Sequence, residues 1–137
     1  MSKRYVYGDY EKFFNNIFDK PQYIMYESDI AFADGKGEGL IYYTQDIYNL
    51  LKTDAVKRLA RIFQLGNKIL SKDTLMHTRL EHSKGTYFRT LKMLIRLYET
   101  PEIKQQIEQR NLKGCVVAEL VRALLHDLGH GPFSHTL

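Results

Sequence analysis

Apolar residues recur at helical spacing along most of this chain, and only one stretch, between residues 23 and 43, departs from it. Near the start, Phe13, Phe14, Ile17 and Phe18 share one face of a short amphipathic helix over 9–19, which Pro21 ends. Two β-like runs follow, Tyr23–Tyr26 and Leu40–Tyr43. Between them Asp34-Gly35-Lys36-Gly37-Glu38-Gly39 is turn chemistry, so a hairpin with a loose loop is predicted. Those glycines fit neither a Walker loop nor a Rossmann fingerprint, which leaves a flexible turn.

From Thr44 onward the pattern is helical. Residues 46–51 form a short helix, and Asp54 is the expected N-cap of a helix over 55–65 in which Val56, Leu59, Ile62 and Phe63 keep the spacing. Gly66 stops it. A long helix spans about 80–98, with the stripe Tyr87, Leu91, Leu94, Ile95 and Tyr98. Pro101 opens a short polar helix to about 111. The last helix, about 114–128, is apolar on a wide face through Val116, Val117, Leu120, Val121, Leu124 and Leu125, and is expected to be buried. There is no repeat and no interdomain linker.

Composition changes this picture little. The 137 residues carry 44% hydrophobic and 26% charged side chains, ordinary for one globular domain. No apolar run is long enough to cross a membrane. The single cysteine, Cys115, excludes a disulfide framework and fits a reducing cytoplasm. Charge is uneven: residues 1–51 have a net of −3, and residues 52–137 a net of +7. The second part would attract a phosphate. Lys57, Arg61, Lys92 and Arg96 are scattered rather than clustered, so nucleic acid is not indicated.

The chemistry is concentrated in the histidines. All five lie between 77 and 135: His77, His82, His126, His130 and His135. The buried helix ends in His126-Asp127-Leu128-Gly129-His130-Gly131-Pro132. A metal would satisfy imidazole and carboxylate together, but for this pair alone a helix-terminal histidine capped by its neighbouring aspartate is the favoured account, since the dipeptide is common. A second cluster, His77-Thr78-Arg79-Leu80-Glu81-His82-Ser83, opens the long helix. There an arginine one turn before a histidine can hold a phosphate beside a metal.

Arg58-Leu59 through Gln64-Leu65-Gly66, the segment 77–83 and the segment 126–135, in that order, resemble the HD family of metal-dependent phosphohydrolases. Within it the resemblance is closest to deoxynucleoside triphosphate triphosphohydrolases. It covers about residues 44–137, whereas residues 1–43 form an N-terminal extension of helix and hairpin with no part in the match. The implied fold is mainly α: an HD-like helical bundle, incomplete here, with a small N-terminal β-hairpin. The resemblance implies that His82, His126 and Asp127 hold a divalent metal (Mn, Fe, Zn, Ni or Mg). It further implies that His130 assists catalysis near the α-phosphate, that Arg79 and His135 contact phosphate, and that Gln64 and Leu65 touch the sugar. The implied reaction is attack of water on the α-phosphorus of a deoxynucleotide, giving a deoxynucleoside and tripolyphosphate.

The family's fourth ligand, an aspartate well downstream, has no counterpart in residues 128–137. The resemblance therefore implies the N-terminal portion of a longer protein, weakly active or inactive alone, and a homo-oligomer in its complete form. A last helix packed on both sides in the family is expected to leave an exposed apolar patch here. The alternatives are an HD-family nucleotidase or phosphodiesterase, and a non-catalytic nucleotide-sensing or interaction module.

Overall fold

A computed structural model describes residues 5–20, 22–28, 40–61 and 79–126. Among these the chain is mainly α, as its periodicity predicts, with six helices and one two-stranded antiparallel hairpin. Helix α1 spans Tyr7–Ile17 and buries Tyr10, Phe13, Phe14 and Ile17. It begins two residues earlier than the apolar pattern suggests, because the Asp9 carboxylate turns back to accept the Val6 N–H at 2.9 Å. Strands β1 (Ile24–Ser28) and β2 (Leu40–Thr44) pair with Tyr26 opposite Tyr42.

Thr44 ends β2 and starts the next helix: its hydroxyl accepts the Ile47 N–H at 3.2 Å, capping α2, Gln45–Leu51. The helix expected over 55–65 is different in the structure. Its cap is Thr53 rather than Asp54, and it consists of α3 (Asp54–Lys57) followed by a 3-10 turn at Arg58–Arg61. Asp54 lies in the first turn instead, where a negative charge suits the helix dipole. Residues 62–65 lie outside the described residues.

Helices α4 (Arg79–Tyr98), α5 (Pro101–Gln109) and α6 (Lys113–Leu125) complete the order. Asn111 takes the left-handed conformation, φ 53°, that ends α5. There the Leu112 N–H reaches back to the Ile107 carbonyl at 2.9 Å, so the chain reverses into α6 without an orphaned helix end.

The hairpin packs against two helices that also meet each other, Phe13 of α1 lying 5.9 Å from Tyr98 of α4. Tyr42 stacks on Tyr10 of α1, with ring centroids 4.4 Å apart. Tyr43 stacks on Tyr87 of α4 at 5.0 Å, and the Tyr87 hydroxyl donates to the Tyr42 carbonyl at 2.8 Å. One Tyr-Tyr pair thus fastens each helix to β2. Leu91, Ile95 and Tyr98 carry the α4 stripe into the same core, where Val116, Leu120 and Leu124 of α6 meet it. All six apolar residues singled out on α6 escape exposure: Val117, Val121 and Leu125 are half-buried and the other three buried. The exposed apolar patch expected on this helix is thus not present among the described residues. No helix there is long and apolar enough to cross a membrane.

Candidate functional site

The site is built where α4 begins and α6 ends. His82 is the fourth residue of α4, and His126 directly follows Leu125, the last residue of α6. Since α4 and α6 pack side by side through their apolar stripes, the two helix ends come together. The imidazole rings of His82 and His126 lie 5.4 Å apart, centroid to centroid, at an interplanar angle of 60°. His82 is half-buried and His126 exposed.

One hydrogen bond orients the His126 ring. Its Nδ1 lies 2.8 Å from the Ala123 carbonyl oxygen. A carbonyl can only accept, so Nδ1 is the donor in this pair. Metal-ligating histidines are commonly held this way, one nitrogen anchored to a backbone carbonyl and the other turned to the ion. The donor chemistry of the pair fits a divalent transition metal. Among the described residues no third His, Cys, Asp or Glu completes a metal-binding group.

The other expected site residues divide in two. Arg79 opens α4, one helical turn ahead of His82. Gln64, Leu65, His77, Asp127, His130 and His135 lie outside the described residues.

Two further features stand at this end of α4. Lys84, two residues after His82, donates to the Glu27 carboxylate of β1 at 3.1 Å, and both side chains are largely shielded from water. This ion pair fastens the hairpin to the start of α4 across a long sequence separation that leaves no local signal. Ser83 is fully buried, and among the described residues its hydroxyl has no hydrogen-bond partner. Its position four residues before Tyr87, on the buried side of α4, does signal that burial.

No family model matches the chain. No solved structure matches it. Among curated proteins, one from Acanthamoeba polyphaga mimivirus named for its HD domain is 36% identical over 104 residues, covering 71% of this chain and 23% of its own length. The deoxynucleoside triphosphate triphosphohydrolase SAMHD1 of Bos taurus is 36% identical over 98 residues, 71% of this chain and 16% of its own. Its homolog in Dictyostelium discoideum is 36% identical over 90 residues, 65% of this chain and 16% of its own. The chain thus spans less than a quarter of the length of these relatives.

Proposed function

This chain belongs to the HD family, and from that premise we propose that it supplies the metal-holding side of a phosphohydrolase acting on deoxynucleoside triphosphates. The observation that carries the reading is the meeting of His82 and His126, with Nδ1 of His126 anchored to the Ala123 carbonyl. In this reading His82, His126 and Asp127 hold a divalent ion. When bound, that ion lowers the pKa of a coordinated water and offsets phosphate charge.

The remaining roles belong to the protein. Arg79 and His135 bind the phosphate chain, where a planar guanidinium offers paired donors that a lysine cannot. Gln64 and Leu65 contact the sugar and so select deoxyribose. Water adds to the α-phosphorus, the bond from that phosphorus to the 5′ oxygen breaks, and the 5′ oxygen departs with a proton that His130 supplies. The products are a deoxynucleoside and tripolyphosphate. SAMHD1 of Bos taurus bears the corresponding activity in its name, and that supports the choice of substrate.

The test is product analysis. The full-length protein is incubated with a deoxynucleoside triphosphate and Mn²⁺, and the products are separated by ion chromatography. Tripolyphosphate with free deoxynucleoside is the expected result. Orthophosphate or pyrophosphate as the inorganic product would assign a different HD-family hydrolase. Nucleotide binding without turnover would leave a sensing module.

A further inference from the structure

We propose that Glu27 and Lys84 are positioning residues for the histidine site: their ion pair sets where His82 stands against His126. This role rests on the metal-holding reading of that site and brings the hairpin into it.

The start of α4 is held from two sides. Consecutive helical residues turn by about 100°, so His82 and Lys84 leave the helix about 200° apart. His82 meets His126 at the end of α6, with ring centroids 5.4 Å apart. Lys84 reaches the other way, to Glu27 Oε2 of β1 at 3.1 Å. One turn further along, on the same face of the helix, the Tyr87 hydroxyl donates to the Tyr42 carbonyl of β2 at 2.8 Å. Gripped at two points by the two strands, α4 is fixed both in rotation about its axis and in shift along it. Either motion would change the distance from His82 to His126.

Shielding makes the ion pair a firm tie rather than a surface contact. The side chains of Lys84 and Glu27 are only 17% and 29% exposed. The second carboxylate oxygen of Glu27, Oε1, is buried as well and has no hydrogen-bond partner among the described residues. There Lys84 alone answers the carboxylate. Exposed ion pairs are loose and contribute little, whereas losing one member of a shielded pair strands the other charge away from water. Glu27 is held on the strand side too, opposite the fully buried Ile41 in the β1–β2 register. Removing the Lys84 charge therefore opens the seam between β1 and the first turns of α4. The shift passes to His82 through the helix, where the His82 carbonyl accepts the Thr86 hydroxyl at 3.0 Å. Losing a group that orients a metal ligand usually weakens binding about 10–100-fold. This pair acts on His82 through the backbone, so about tenfold is expected.

The experiment compares the full-length protein with Lys84→Met, Lys84→Arg and Tyr98→Phe, by calorimetric titration with Mn²⁺ and by urea denaturation. Lys84→Met should weaken Mn²⁺ binding about tenfold, whereas Lys84→Arg keeps a positive charge on Glu27 and should bind as the parent does. Tyr98→Phe removes the hydrogen bond to Glu108 at the far end of α4, so it should lower stability without altering Mn²⁺ binding. Should Lys84→Met fail to fold, Glu27→Gln, which keeps the shape but not the charge, takes its place in each comparison. In the metal-free protein, the nuclear Overhauser contact between the His82 and His126 rings should weaken in Lys84→Met and persist in Tyr98→Phe. A Lys84→Met protein that binds Mn²⁺ as the parent does overturns the positioning role and leaves the metal reading in place. Affinity that merely tracks stability across the variants does the same. A parent that binds no Mn²⁺ overturns the metal reading; the ring contact then decides, and one unchanged in Lys84→Met overturns the positioning role as well.

Discussion

The rings of His82 and His126 meet at 5.4 Å although neither helix carries both, so their spacing is a property of the α4–α6 contact. Leu91 of α4 and Leu120 and Leu124 of α6, each fully buried, set that contact. A change in the packing beneath the rings is thus a change in the donor geometry.

Truncating Leu124, two residues before His126, should therefore act on both stability and metal binding. Leu124→Ala removes a fully buried side chain, and losses of about 2–5 kcal/mol are usual for such cavities. Chemical denaturation gives the first quantity and calorimetric titration with Mn²⁺ or Zn²⁺ the second. A variant that loses stability but binds metal as the parent does would separate the packing from the site.

Substitution of the donors themselves should discriminate among the histidines. His82→Ala and Asp127→Ala are expected to abolish metal uptake by the full-length protein, whereas His77→Ala should leave it in place. Each of the first two removes a bond to the ion, while His77 is at most a support. Elemental analysis after dialysis reads the outcome, and equal loss from all three would reassign the ligands.

Ser83 offers a test in the opposite direction. Its buried hydroxyl lacks a hydrogen-bond partner among the described residues, and a desolvated polar group without one costs about 1–3 kcal/mol. Ser83→Ala should raise the midpoint of denaturation, by an amount toward the lower end of that range because the methyl leaves a small void. A clear loss of stability would show that the hydroxyl is bonded after all.

Tyr87 links stability to alkaline pH. Its pKa is raised well above the ordinary 10.0, first by burial and then by the proximity of Tyr10. The folded state thus favours the neutral phenol. Its contribution is complete below pH 10.0 and is lost as pH rises from there toward the folded value. Tyr87→Phe should lower stability near neutrality by about 1–2 kcal/mol, since the Tyr42 carbonyl loses its donor, yet flatten the decline above pH 10.0. Urea midpoints measured against pH show both effects, and an unaltered alkaline slope would assign the decline to other tyrosines.

Much of this was legible in the chain itself, for reasons particular to each element. The long helix was predictable because Tyr87, Leu91, Ile95 and Tyr98 repeat at helical spacing, and a proline follows them. Its neighbour in sequence was harder. Thr53 and Asp54 are both good caps, and only the backbone at 53 decides that the threonine takes the role. The periodic run through Val56 and Leu59 says nothing about the tightening to a 3-10 turn at Arg58–Arg61. The segments around His82 and His126 lie far apart in the chain, and only the packing of α4 on α6 brings their rings together. The Glu27–Lys84 pair and the Tyr43–Tyr87 stack had no signature, because each depends on which faces of the hairpin the helices choose.

The dependence of the hairpin on both α1 and α4 has a consequence for how the protein is made. As the chain leaves the ribosome, α1 and both strands emerge before the helix that carries Tyr87. At about 5–20 residues per second, the interval between synthesis of Tyr43 and of Tyr87 is roughly 2–9 s. For that time a tyrosine-rich strand pair lacks the partner that Tyr87 supplies. Nascent chains crowded on a single message would bring such half-covered surfaces side by side, so slower translation through residues 44–87 should cost soluble yield.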